Sequence, residues 1–354
     1  MAEQSLAYVL ETAGAPLVPR RVPIPSPGPG EAVVEVLACG LCHTDLGFAD
    51  GSVRPQKGLP LVLGHEVVGT VTAAGDGVAL RAGEPVLVPA VLPCGACEFC
   101  RAGRGNACPN QKMPGNDVDG GFATHLLVPA HPLVPLGAFA AGVDLRELSV
   151  VADAVSTAYQ AVLRSGLAAG DAAVVVGAGG VGGFLAQIAR ALGARVIACD
   201  VQPGRLAQLA AHGVELAVDV RDRAPQDVRK EVHGALRGWG IPSLRWRLFE
   251  CSGSPPGQQL AFGLLARAAT LLQVGYTPKA VEVRLSNLMA FDATVHGSWG
   301  CPPEAYPAVL AMIADGRVAL RPFLEHAPMS RINQLLDDLA HHRLERRMVL
   351  DPRQ

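Results

Sequence analysis

Apolar and polar positions change rhythm along this chain. From residue 5 to residue 40 they alternate around turns, most plainly in Ala32–Ala38 (AVVEVLA), and a period of two predicts antiparallel β-structure. The Pro- and Gly-rich run Pro23–Gly30 reads as a loop between strands. Residues 116–136 return to short strand-like runs, after which Val155, Ala158, Tyr159, Val162 and Leu163 recur at helical spacing. From Asp171 to about Gly297, apolar runs and helical spacings take turns, which predicts a parallel, doubly wound α/β sheet. Its predicted strands are Val174–Val176, Arg195–Asp200, Leu216–Val220, Arg247–Cys251 and Thr270–Gly275, with Asp222–Trp239 as a polar, helix-compatible insertion. After Trp299 come two predicted helices, about Glu304–Ala314 and Ile332–Leu339, and a strand Met348–Leu350. These tail elements either extend the second region or complete the first.

A length of 354 residues suits two domains, and 49% hydrophobic with 18% charged residues is ample for large cores. A net charge of −2 argues against a nucleic-acid partner and against adsorption to an anionic membrane. The start, MAEQSLAYVL, has no basic n-region, and no apolar run approaches the roughly 20 residues that span a bilayer. A cytoplasmic location is the expectation. Four of the nine cysteines are crowded into Cys94–Cys108, which fits metal ligation better than disulfides.

The stretch Val174–Gly183 (VVVGAGGVGG) carries the first chemistry. An apolar run opens into Gly177, Gly179 and Gly182, and helical spacing follows at Val181, Leu185, Ile188, Ala189 and Leu192. A dinucleotide pyrophosphate needs this strand, tight turn and helix: one glycine turns the chain, one admits the phosphates to the backbone, and one lets helix pack on strand. The predicted second strand ends in Asp200, eighteen residues after Gly182. A carboxylate there accepts from a ribose diol and repels a 2′-phosphate, and Val201 and Gln202 offer no cation to counter it. NAD is therefore expected over NADP. Gly180, Val181, Arg205, Val274 and Tyr276 complete the expected coenzyme contacts.

Two further clusters suit metal. Cys39, Cys42, His43, Thr44 and Asp45 lie within seven residues, and His65 and Glu66 add an imidazole and a carboxylate about twenty residues on; these ligand types suit zinc, though spacing alone does not say which atoms bind. Cys94, Cys97, Cys100 and Cys108 suit a closed tetrahedral zinc site with a structural role, with an iron–sulfur cluster as the other four-thiolate possibility.

Taken together, GxCHTD at Gly40–Asp45, GHE at Gly64–Glu66, the four-cysteine lobe, the glycine turn and the terminal RRMVL resemble the zinc-dependent medium-chain alcohol dehydrogenases over nearly the whole chain. The resemblance implies a GroES-like β-rich catalytic domain, residues 1–154 with 298–354, and a Rossmann domain, residues 155–297. It implies two zincs per chain. Cys42 and His65 are then ligands of the catalytic zinc, with Asp45 and Glu66 behind them. The third ligand in many members is a cysteine; here that position is Asp153, which either ligates or caps the following helix, Glu66 being the substitute ligand in the second case. Thr44 is expected to hydrogen-bond the substrate oxygen, Gly47 stands where many members carry a relay histidine, and His43 and Arg347 match pyrophosphate contacts. A homodimer or homotetramer is expected, paired along the strand near Ala293–Ser298.

Within the family, MPGNDVDGGFATHLLVPA and SWGCPPEAYPAVL resemble the 6-hydroxycyclohex-1-ene-1-carbonyl-CoA dehydrogenases of anaerobic benzoyl-CoA breakdown. That likeness implies a small-molecule substrate carried as a CoA thioester. The rivals are a dehydrogenase of free alcohols or polyols, a zinc-bearing enoyl reductase, and a non-catalytic NAD-binding protein.

Overall fold

A computed structural model of the chain describes residues 4–140 and 142–354. It divides into two compact units, residues 1–156, 300–314 and 320–354 in the first and residues 157–299 and 315–319 in the second.

The first unit begins with β1 (Gln4–Leu10), β2 (Val18–Pro23) and β3 (Glu31–Gly40), followed by α1 (His43–Ala49), β4 (Leu61–Val62), β5 (Glu66–Ala74), β6 (Pro85–Val88), the short α2 (Glu98–Arg101), β7 (His125–Pro129) and β8 (Val134–Pro135). The boundary falls within α3 (Ala154–Arg164). β3 is the spine: its N-terminal half pairs antiparallel with β7, its length with β5, and its last two residues, Cys39 and Gly40, with a strand from the chain's tail. Val34, Val36, Val67, Val71 and Leu126, from alternating positions on these strands, are buried together with Phe122. Phe122 is thus core, as large aromatics usually are.

The second unit holds β9 (Ala172–Val176), α4 (Gly180–Ala191), β10 (Arg195–Asp200), α5 (Pro203–Ala211), β11 (Leu216–Asp219), α6 (Pro225–Gly238), β12 (Trp246–Glu250), α7 (Pro255–Gly263), β13 (Thr270–Gln273), α8 (Ser286–Phe291) and β14 (Thr294–Gly297). The sheet order is β11-β10-β9-β12-β13-β14 and every pair is parallel. This is the doubly wound sheet expected from the sequence, and its order reverses between β9 and β12, where such sheets open a crevice at the strands' carboxyl ends. The five residues of β9 are all buried, which is why its sequence AAVVV shows no alternation.

One element needs correction. Asp222–Trp239 is not an insertion. Val228, Val232 and Leu236, spaced by four, bury one face of α6 in the core with Trp246 and Leu248, so α6 is the crossover between β11 and β12. Its other faces are charged, and their number masked the apolar stripe.

In the tail, α9 (Tyr306–Ala314), β15 (Leu324–Pro328), α10 (Ile332–Ala340) and β16 (Arg347–Asp351) return to the first unit. β16 pairs antiparallel with β3 and parallel with β15, so the tail completes the first sheet. No helix among the described residues is long and apolar enough to cross a membrane.

Candidate active site and metal centres

The first cluster is built at the end of β3. Cys42 is the N-cap of α1, and Asp45, three residues on, accepts from the Cys42 N–H at 2.9 Å in a capping-box arrangement. The other oxygen of Asp45 accepts from the Gly64 N–H at 3.1 Å and lies 3.2 Å from His65 Nδ1. One fully buried carboxylate thus ties the helix start to the turn that presents His65. His65 is itself buried, and neither of its ring nitrogens has a hydrogen bond in the structure; Nδ1 faces Asp45 and Nε2 lies 3.6 Å from Asp153 Oδ2. Asp153 Oδ2 is in turn 3.9 Å from Cys42 Sγ. Donor atoms of Cys42, His65, Glu66 and Asp153 all lie within 4.8 Å of one another.

These residues fit a zinc ion. An imidazole nitrogen buried without a hydrogen bond is costly, and here it faces a thiol and a carboxylate, the donor set of a three-ligand zinc site with an open position. Burial alone would lower the His65 pKa, but Asp45 and Asp153 on its two sides raise it well above the ordinary imidazole value, so the carboxylates favour positive charge at this point of the site.

Glu66, buried beside His65, is differently placed. Arg347 Nε donates to its Oε2 at 2.8 Å, a second Arg347 nitrogen donates to Oε1, and the Ala154 N–H donates to Oε1 at 3.1 Å. The sequence reading treats Glu66 and Arg347 separately, one behind zinc and one on pyrophosphate. Their separation of 281 residues gave no sign of the pair. Thr44 Oγ1 lies 3.7 Å from Cys42 Sγ, next to the cluster, while His43 is exposed at the start of α1. The Gly47 carbonyl accepts from Ser52 Oγ at 3.3 Å.

The second cluster surrounds α2. Sulfur–sulfur distances are 3.4 Å for Cys97–Cys100, 3.6 Å for Cys97–Cys108, 3.5 Å for Cys94–Cys108 and 4.0 Å for Cys94–Cys100. A tetrahedron of sulfurs about 2.3 Å from zinc has edges of about 3.8 Å, close to these four distances, and all four sulfurs lie within 4.8 Å of one another, so the cluster fits that ion. Backbone N–H groups of Ala96 and Cys97 lower the Cys94 thiol to about 6, favouring the thiolate that binds metal. His131 bonds the Pro93 carbonyl at 2.8 Å and steadies the loop.

In the second unit, the carboxyl ends of β9, β12 and β13 meet. Gly177 has φ +93° and sits so close to Ser252 that a Cβ would lie 2.5 Å from its backbone nitrogen; a Cβ on Gly182 would lie 1.8 Å from the Gly177 carbonyl oxygen. These are the turn and the helix–strand contact that only glycine permits. Gly179 is the N-cap of α4, which starts at Gly180 and Val181, and a Cβ on Gly179 would lie 3.5 Å from the Arg205 guanidinium. Asp200 accepts from the Ala178 N–H at 2.6 Å and the Gln202 N–H at 2.8 Å, which fixes its carboxylate beside the glycine turn. Val274 donates to the Glu250 carbonyl at 3.0 Å, and Tyr276, 68% exposed, packs its backbone on Gly253. The sequence reading missed Glu250, a buried carboxylate that gathers the N–H groups of Ser252 and Gly253 and the Gln273 amide; no motif announces it.

Comparison with known proteins agrees with this arrangement. Residues 28–138 match the alcohol dehydrogenase GroES-like domain, and residues 180–315 match the zinc-binding dehydrogenase domain. An alcohol dehydrogenase of Rhizobium meliloti (strain 1021) is 31% identical over 350 residues, covering 98% of each chain. Among solved structures, a cobalt- and zinc-bound thermostable alcohol dehydrogenase from Pyrobaculum aerophilum superposes with a TM-score of 0.85 at 25% identity, covering 99% of this chain and 100% of the other. An acetophenone reductase from Geotrichum candidum, in complex with NAD, gives 0.85 at 25% identity over 99% and 98%. With both domain models matched and both donor clusters assembled, the chain belongs to the zinc-dependent medium-chain alcohol dehydrogenases.

Proposed function

We propose that this enzyme oxidises a secondary alcohol on a ring to a ketone, with hydride transfer to NAD, at a zinc held by Cys42, His65 and Asp153. The observation that carries the ligand set is the convergence of Cys42 Sγ, Asp153 Oδ2 and the orphaned His65 Nε2, while both Glu66 oxygens are engaged by Arg347 and Ala154. Zinc in such a site supplies Lewis acidity at an open position, and NAD supplies the hydride acceptor. The chain's own residues do the rest. Asp45 sets the imidazole's direction from the Nδ1 side, leaving Nε2 for the metal. Thr44, beside Cys42, accepts the hydroxyl proton as it passes its own on, and with Gly47 offering no side chain to continue the path, water or another side chain takes that proton.

On the coenzyme side, the glycine turn, Asp200, Arg205, Val274 and Tyr276 of the second unit are proposed to hold NAD, with His43 and Arg347, from the family resemblance, as donors to the diphosphate. The fixed Asp200 carboxylate favours NAD, since a 2′-phosphate would meet a like charge. Asp200→Ala is expected to weaken NAD binding at least about tenfold, one lost charge-assisted hydrogen bond of roughly 1.5–3 kcal/mol, while leaving NADP binding nearly unchanged. Equal losses in a titration of both coenzymes would remove Asp200 from this role.

The substrate reading is 6-hydroxycyclohex-1-ene-1-carbonyl-CoA, oxidised to the conjugated ketone, and it is supported by sequence likeness in residues 113–130 and 298–310. The second reading, a dehydrogenase of free alcohols, is favoured by the Rhizobium relative's name. NADH formation at mildly alkaline pH, comparing that thioester with its free acid and with simple cyclic and linear alcohols, separates them. Turnover of the thioester alone is expected; turnover of the simple alcohols with the thioester ignored would transfer the enzyme to the second reading. A homo-oligomer joined along β14 is supported by that edge strand's exposed Val295 and the exposed Leu285 and Met289 of the preceding segment. Its measure is a sedimentation mass of two or four times 36.7 kDa.

A further inference from the structure

We infer that Tyr306 is a positioning residue for Asp153: its phenol holds the stretch of main chain from which the third metal donor projects. The inference rests on the ligand assignment proposed above. Tyr306 opens α9, about 150 residues beyond the site in sequence, yet it is 1% exposed and its hydroxyl donates to the Ala152 carbonyl at 2.6 Å. Ser156 Oγ lies 3.1 Å from the phenol oxygen and 3.2 Å from the Asp153 carbonyl. The single Ser156 proton serves one of these acceptors, and in either arrangement the phenol and the serine flank Asp153.

Asp153 has φ −136° and ψ −65°, between the 3-10 turn Leu145–Ala152 and α3, so neither helix prescribes where its side chain points. The bonds around it do. The Ala90 N–H reaches the Ala152 carbonyl at 3.0 Å, and the Ala154 N–H is held by Glu66. Tyr306 adds a second donor to the Ala152 carbonyl from a different element of the chain. A hydrocarbon of similar size would fill the space equally well; a buried hydroxyl is worth having only where its bonds fix something. What these bonds fix is the direction of Asp153 Oδ2 towards Cys42 and His65. Outer partners of metal ligands typically carry a tenfold to hundredfold effect on metal affinity.

The test uses Tyr306→Phe in the full-length, zinc-loaded enzyme, which keeps the ring and removes the bond. Zinc release to an excess of a chelating dye is followed in time, with the four-thiolate zinc as internal reference, and the visible spectrum of the cobalt-substituted enzyme is recorded. One release phase is expected to become about 10–100 times faster with the other unchanged, and the cobalt bands are expected to shift. Ser156→Ala should move the same phase in the same direction by less, and it carries the test if Tyr306→Phe does not fold. Two phases unchanged would overturn the inference, as would both accelerating together, which marks general loosening. A single zinc in the unaltered enzyme would overturn the ligand assignment and this inference with it, so the two failures are told apart before any variant is made.

Discussion

Asp153→Asn is expected to abolish NADH formation and to reduce the zinc content from two ions per chain to one. Asparagine keeps the shape of the side chain and removes its charge. Cys42 and Asp153 together bring two negative charges to a divalent ion, and the amide leaves that ion under-compensated and held by a neutral oxygen, a far poorer donor. A loss of more than about a hundredfold in metal affinity follows, since even partners one step removed from a metal are worth up to that. The substitution also separates the two readings that the sequence left open. If Asp153 served only to cap α3, asparagine would serve as well, because the two residues are near-equal N-caps. An active, fully metallated Asp153→Asn enzyme would therefore return Asp153 to a capping role and pass the third position to Glu66. Against passing the third position to Glu66 stands that residue's own engagement: its Oε1 accepts from the Ala154 N–H at 3.1 Å, and Arg347 donates to both of its oxygens. Elemental analysis beside an activity assay decides it.

Much of the molecule could be read before any coordinates. The glycine turn was legible because its chemistry is local: strand, turn and helix follow one another in the chain, and Arg195–Asp200 is a strand with the predicted limits. The four thiols were legible for the same reason. The strand Leu324–Pro328 was not, since five residues with two exposed polar side chains, Glu325 and His326, resemble a loop until β16 is beside them. α6 was misjudged because its burial lies in three apolar residues among fourteen, a stripe that becomes visible only when the sheet gives it a side to face. The site itself divides in the same way. Cys42, Asp45 and His65 announce themselves through their neighbours, whereas the partners that hold them come from far along the chain. Tyr306 reaches the carbonyl before Asp153 from 154 residues away, and Arg347 reaches Glu66 from 281. Long-range pairs of this kind are set by topology, here by β16 lying beside β3, and spacing carries no trace of them.

That last pair yields the second large effect. Arg347→Met is expected to destabilise the zinc-loaded protein by about 3–5 kcal/mol, the usual consequence of removing one partner from a buried ion pair. The side chains are 7% and 0% exposed, and the carboxylate is gripped through both of its oxygens. Burial holds the Glu66 carboxyl above the ordinary range even with Arg347 beside it to lower it. Without the guanidinium, the buried group either stays charged with the Ala154 N–H as its remaining known donor, or takes up a proton, and both alternatives cost free energy. Much of the cost should therefore vanish when Glu66→Gln is made in the same chain, because an amide keeps an acceptor for Ala154 and brings no charge into the interior. A fall in the urea midpoint for Arg347→Met, largely recovered in the double variant, is the expected pattern; equal destabilisation of both would mean that the arginine acts by packing alone. The double variant also isolates the other role proposed for Arg347. With the charge of Glu66 gone and the fold restored, any remaining loss of NAD affinity belongs to the missing contact with the diphosphate, and undiminished affinity would confine Arg347 to holding Glu66 in place.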